Sequence, residues 1–373
     1  VIFMKRLLVF LAFVLIAVTA IGAAPAHKIG LVFDMAGRGD NSFNDSAYNG
    51  LVQIAKTYKG WIEGDPDKVN FGSDLQIKYL EPKAGGQDRE ILMRALAEDG
   101  YELVYGVGYA FADIIAKVGK DFPKTYFAGI DCDMSGASGI PNVLGLNFRE
   151  NEGSFLVGAI AALKAKGQKV GFIGGVTIPL IQRFENGFKG GAMWVNPVYR
   201  KEGNILSQYI SKEFTGFNDP TGGYNVATAL FKQGAAIIYH AAGGSGDGLF
   251  RAAAELKKLA IGVDSDQGLI YAADKDPAIQ ARGKVILTSM IKRVDNAVIL
   301  TAKEYLASGK LVGGNKVFGL KEGGVGFAEN DLNKSALADV RMQVLRIANQ
   351  IMSGAIAVPD ENTNMAAWAK TLK

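Results

Sequence analysis

The chain is predicted to be an α/β protein of two doubly wound domains, on three observations. Short β-rich runs alternate with longer stretches whose apolar residues recur at helical spacing. Most of the β-rich runs are continuously apolar, as suits parallel strands buried on both faces. There are about ten of them, more than one sheet of this length usually holds.

Taken in order, the first strand is expected over 28–33, running into Asp34 and a glycine-rich loop, Gly37-Arg38-Gly39-Asp40-Asn41-Ser42-Phe43-Asn44. That loop opens a helix marked by Ala47, Leu51, Ile54 and Ala55. A polar insertion over 60–74 reads as a surface loop. Strands follow over 76–80, 103–107, 125–130 and 143–147, and 147–152 is the expected junction between domains. Phe155, Gly158, Ala159 and Ala162 mark the next helix. Strands over 169–173, 205–210, 236–240, 260–263 and 285–289 come after it. The last helix, 335–353, stops at Gly354 before a polar tail. No internal repeat or low-complexity segment is visible.

The N-terminus reads as a signal peptide over 1–26. Met4, Lys5 and Arg6 form a basic head, and 7–21 is an uncharged apolar run of 15 residues, short of the roughly 20 a membrane-spanning helix needs. Ala24-Pro25-Ala26 supplies a small-residue cleavage site, so the mature chain is expected to begin at His27. Processing removes Lys5 and Arg6, and the formal charge of +4 falls to +2. With the remaining charges well mixed, no nucleic-acid partner is expected. Cys132 is the single cysteine, so neither an internal disulfide nor a lipid-bearing cysteine near the signal segment is available. The mature protein is expected to be a soluble monomer, periplasmic or secreted.

Ligands of open parallel sheets bind beyond the carboxyl ends of the strands, and there the polar residues collect. Besides Asp34 and its loop, strand ends lead into Asp131, Gly174-Gly175, Phe217-Asn218-Asp219-Pro220, Gly243-Gly244-Ser245-Gly246, Asp264-Ser265-Asp266 and Lys292-Arg293. One strand-end carboxylate is usually a helix cap and one Gly-Gly a tight turn; their spread over both halves points to a shared cleft.

Enzyme motifs fail by position. Gly106-Val107-Gly108 follows a strand as a dinucleotide fingerprint would, but Phe111 holds the third glycine position. The Gly-Lys pairs at Gly119, Gly283 and Gly309 have Ile114, Ala278 and Glu304 where a P-loop needs its first glycine. Ser245 misses the nucleophile elbow because Asp247 replaces its last glycine. His27 and His240 are the only histidines, so no histidine zinc pair forms, and His240 on its apolar strand reads as a core or cleft-wall residue. No catalysis, cofactor or metal is expected. The tripeptide Arg38-Gly39-Asp40 lies in the proposed ligand loop and is read as part of it.

The strings Gly30 to Asp34, Asp40 to Asn44, Asn147 to Gly158, Val170 to Gly175, Arg183 to Phe188, Phe217 to Pro220, Ala241 to Gly246, Ile261 to Gln267 and Leu287 to Asp295 resemble the basic membrane protein family of transporter-associated receptors, which includes purine nucleoside receptors. The resemblance runs along nearly the whole mature chain. It implies a periplasmic-binding-protein type I fold, with two Rossmann-like lobes joined by a multi-strand hinge. The expected lobes are 27–147 with roughly 285–315, and 148–284 with roughly 316–373.

The resemblance also implies a solute-binding receptor for an ATP-driven (ABC) permease. Its ligand would be a purine nucleoside such as adenosine, guanosine or inosine. By motif match Phe43 and Phe217 would sandwich the base, and Asp131, with Asn44, would meet its edge. Asp264 and Lys292 would hold ribose hydroxyls and neutralise each other, while Asp34 and Gly243 line the cleft and Phe184 packs beneath it. Some members carry an acidic residue where this chain has Gly37, and many carry a lipid-accepting cysteine that it lacks. The alternatives are a receptor for another solute (a free base, a modified nucleoside or a sugar), a sensor without a transporter, or an exported nucleoside hydrolase using Asp34, Asp40 and Asp131 around a metal.

Overall fold

The structure is a computed structural model and describes residues 25–372, so the expected signal segment up to Ala24 lies outside the described residues. Seven parallel strands form the first sheet: β1 (His27–Val32), β2 (Gly60–Glu63), β3 (Leu75–Leu80), β4 (Leu103–Val107), β5 (Tyr126–Ile130), β6 (Val143–Phe148) and, from far down the chain, β12 (Gly314–Phe318). Their order is β12-β6-β5-β4-β1-β3-β2. Helices α1 (Phe43–Thr57), α2 (Arg89–Glu98), α3 (Ala112–Asp121) and α10 (Val294–Ser308) belong to this lobe. The continuous apolarity of β1 has its cause in two cores: Ile29 and Leu31 face one, and Val32 faces the other together with Met93, Phe111 and Ile115.

The second sheet runs β13-β11-β10-β9-β7-β8. Its strands are β7 (Lys169–Val176), β8 (Ile205–Ser211), β9 (Ala235–Ala241), β10 (Leu259–Asp264), β11 (Ile286–Lys292) and the short β13 (Val325–Phe327), which alone pairs antiparallel. Around it lie α4 (Glu150–Ala165), α5 (Pro179–Val195), α6 (Pro220–Lys232), α7 (Gly246–Leu256), α8 (Gln267–Ala272), α9 (Pro277–Gly283), α11 (Lys334–Met352) and α12 (Met365–Thr371). Among the described residues no helix is long and apolar enough to cross a membrane.

Helices α4 and α5 meet backbone to backbone, since a Cβ at Gly158 would lie 2.1 Å from the Phe188 carbonyl oxygen and one at Gly191 would lie 1.9 Å from that of Phe155. Only glycine permits this approach. It fixes the position of the α4 N-terminus, where Glu150 sits, relative to Arg183 on α5.

Two expectations are corrected. The insertion 60–74 is not all surface loop: Gly60–Glu63 pairs in parallel with β3, as the edge strand of the first sheet. The strand is only four residues long with alternate residues half-buried, and the polar stretch that follows it hid it. The rest of the insertion is anchored by Asp65, whose buried carboxylate accepts from the hydroxyls of Tyr48 (3.0 Å) and Tyr79 (3.2 Å) and meets Arg38 of the glycine-rich loop at 3.4 Å. The second correction concerns 285–315. Strand β11 pairs with β10 in the second sheet, so only α10 and the strand β12 that follows it return to the first lobe. Neither β12 nor β13 was expected. The first shows only intermediate and exposed residues and the second is three residues long.

The chain therefore passes between the sheets three times, at Phe148 to Glu150, at Lys292 to Val294 and at Phe318 to Val325. These crossings form the hinge and place Glu150 and Lys292 side by side in it.

Candidate functional site

Both sheets have the switch point where a parallel sheet opens a crevice. In the first, β1 lies between β3 and β4, and in the second β7 lies between β8 and β9. The chain leaves β1 at Asp34, β4 at Gly108 and Tyr109, and β7 toward Ile178, Leu180 and Ile181; β9 ends before Ala242 and Gly243. All these residues line one cavity between the lobes. It encloses about 610 Å³ of atom-free space, mouth and adjoining solvent included. The eight residues singled out in the sequence, Asp34, Phe43, Asn44, Asp131, Phe217, Gly243, Asp264 and Lys292, all line it. Phe184 is at once deeply buried and part of the wall. Phe43 comes from the first turn of α1, Phe217 from the turn before α6.

The strand-end carboxylates divide by role. Asp219 and Asp266 cap helices, accepting the N–H of Gly222 at 2.8 Å and of Leu269 at 3.2 Å. Asp131 and Asp264 end β5 and β10 with a φ of 63° each, a left-handed backbone that Asp tolerates better than most residues, and both line the cavity. Burial raises both carboxyls above the usual range against the pull of Lys292.

Lys292 is the cation of the site. Its Nζ lies 2.6 Å from each carboxylate oxygen of Asp131 and 3.0 Å from Oε1 of Glu150. The rings of Phe43, Phe148 and Phe184 surround it at 5.1, 5.0 and 5.5 Å. Burial alone would lower its ammonium, but Asp131, Glu150 and Asp264 together raise it. The mutual pull of Lys292 and Asp264 acts through space, without a direct ion pair between them. Lys292 leaves β11 at a chain crossing, beside the end of β5 and the start of α4, so its direct partners are Asp131 and Glu150. Asp264 instead accepts from Ser42 Oγ of the opposite lobe at 2.6 Å.

The first-lobe loop is internally saturated. Asp40 accepts the backbone N–H of Ser42 (2.9 Å), Asn44 (2.9 Å) and Asp45 (3.1 Å) at the open end of α1. The Asn44 side chain accepts from Asp34 N and donates to Asp40, both at 3.0 Å, so it braces the loop before it can serve a ligand. Asp34 is held from behind by Arg89 at 2.7 Å. At Gly37, with φ 63°, a Cβ would lie 2.8 Å from a Glu81 carboxylate oxygen.

Several wall residues carry no obvious sequence signal. Tyr109 and Phe214 could have been found as aromatics beside strand-end segments already marked, whereas Ile178, Leu180 and Ile181 look like ordinary helix-start residues. His240 is fully buried and outside the wall, 3.1 Å from Gln267 Oε1. Cys132 is likewise buried, and burial pushes its thiol up.

With this geometry in view, comparison with known proteins gives a consistent picture. A family model described as "ABC transporter substrate-binding protein PnrA-like" matches residues 27–362. The chain is 36% identical over 344 residues to the CD4+ T-cell-stimulating antigen of Listeria monocytogenes, covering 89% of this chain and 88% of that one. It is 29% identical to the ABC transporter nucleoside-binding protein BmpA of Lactococcus lactis subsp. cremoris, covering 90% and 89%. Among solved structures it resembles an ABC transporter system solute-binding protein of Aeropyrum pernix K1, with a TM-score of 0.75, 25% identity and coverage of 92% and 96%.

Proposed function

The chain belongs to the PnrA-like family of ABC transporter substrate-binding proteins, and we propose that its solute is a purine nucleoside held between the two lobes. One observation carries this reading: the cavity is walled by aromatic rings from both lobes, Phe43 and Phe217, and carries carboxylates from both lobes, Asp131 and Asp264, with Lys292 between. A purine has two apolar faces and a polar rim, and a ribose adds hydroxyls that donate to carboxylates and accept from an ammonium. A bare sugar suits the charged groups but leaves one aromatic face unused.

Solute touching one lobe favours closure only through what it gains on the other. Here Phe43 and Asp131 would supply the first contact surface, and Phe217 and Asp264 the second. No bond is made or broken. The carboxylates that a hydrolase would need around a metal are already engaged: Asp34 by Arg89, Asp40 by three backbone N–H groups and Asp131 by Lys292. After export and cleavage near Ala26, the closed form would be presented to a membrane permease.

Calorimetric titration of refolded, solute-free protein with a nucleoside panel tests the assignment. Purine nucleosides are expected to bind more tightly than pyrimidine nucleosides or free sugars, and to be recovered unchanged. A pyrimidine preference, or release of free base and ribose, would overturn it.

A further inference from the structure

Behind the cavity a line of charges leads from Lys292 into the second lobe. Glu150, the first residue of α4, is fully buried and absent from the cavity wall. Its Oε1 lies 3.0 Å from the Lys292 ammonium, and its Oε2 accepts from Arg183 Nη1 of α5 at 3.1 Å. Arg183 also donates to the Phe148 carbonyl at 3.3 Å and grips Glu361 through two further nitrogens, at 2.8 and 2.7 Å. Glu150 is thus clamped by a guanidinium whose own position is set by the hinge and by the C-terminal segment.

An ammonium has three N–H donors. Asp131 engages Lys292 on the first-lobe side and Glu150 draws it from behind, while Asp264 lines the same cavity and acts on it through space. Asp131 alone, met through both of its oxygens, would leave the buried ammonium free to turn about that carboxylate, and its remaining donor would have no fixed direction. With two carboxylates on different sides it is held between them.

We propose that Glu150, braced by Arg183, is a positioning residue: together with Asp131 it fixes the direction of the Lys292 ammonium, so that the remaining donor is kept for the solute. This rests on the reading of the cavity as a nucleoside site. It adds that affinity depends on a side chain the solute never meets.

The test is a double-mutant cycle in the full chain, with Glu150→Gln, Lys292→Met and their combination, titrated with inosine and adenosine. Glu150→Gln is expected to weaken binding at least tenfold in the parent chain and to have little further effect once Lys292 is methionine. A role confined to packing would instead lower affinity by the same factor in both backgrounds, which would overturn the proposal. If Glu150→Gln does not fold, Arg183→Gln replaces it, with a smaller loss expected and the same dependence on Lys292. Should the parent chain bind no nucleoside, the functional reading fails. The same cycle read by chemical unfolding then decides the positioning role: non-additive losses of stability support it and additive losses refute it.

Discussion

Phe43 and Phe217 reach the cavity from opposite lobes, so truncating either ring would leave one face of the proposed purine against water. Phe43→Ala is expected to weaken purine nucleoside binding at least tenfold, about 1.4 kcal/mol, and Asp264→Ala to do the same through lost ribose contacts; calorimetry of folded variants measures both. Indifference to both changes would remove the nucleoside from the site. At this scale the sequence was legible in identity and not in pairing. Asp131 and Asp264 stood out as carboxylates at strand ends, but so did Asp219 and Asp266, which cap helices. What separates them is a left-handed φ that nothing in the local residue pattern announces. Lys292 was marked without its direct partner Glu150, because the proximity of Glu150 comes from chain crossings more than a hundred residues apart.

Among the elements, the α4 and α5 pair is the most demanding in shape. Gly191→Ala must push a methyl against the Phe155 carbonyl, and a loss of about 1–3 kcal/mol is expected, seen as a lower midpoint of thermal unfolding. Strand β9 carries a second expectation. Burial lowers His240 from 6.5 to about 4 in the folded chain. Below pH 6.5 the unfolded chain therefore binds a proton that the folded chain refuses, so stability falls as pH drops from 6.5 toward 4. The loss amounts to up to about 3 kcal/mol. Asp131 and Asp264, with raised carboxyls, act in the opposite sense, favouring the folded state as pH falls. The histidine contribution is isolated by comparing chemical unfolding of the parent and of His240→Asn between pH 5 and 7, where the variant is expected to lose less stability on acidification. Ten of the strands, β1 and β3 to β11, were legible in the sequence. Strands β2, β12 and β13 were not, because short edge strands are chosen by the neighbour they pair with rather than by their own composition.

For the whole molecule, the lobes are tied together by direct hydrogen bonds as well as by the hinge. Ser42 donates to Asp264 at 2.6 Å, Ser265 to the Ser42 carbonyl at 3.2 Å and Gln267 to the Asn41 carbonyl at 3.1 Å. Removing two of them in Ser42→Ala/Gln267→Ala is expected to open the solute-free protein, with a larger radius of gyration by X-ray scattering. Saturating solute should restore the parent value, because closure needs only a differential contact. Equal radii for the free forms would show that these bonds do not set the resting state. The two-lobe plan was readable from the rhythm of strands and helices, but the lobe borders were not, since β11 and β12 exchange sheets against their order along the chain. That exchange has a meaning in time. The edge of β6 is completed only by β12, and roughly 165 residues separate Phe148 from Gly314. At ordinary synthesis rates the nascent first lobe waits about 10–30 s for its last strand. Throughout that interval it keeps an open β-edge, so a factor that handles unfinished chains would meet this protein before it can close.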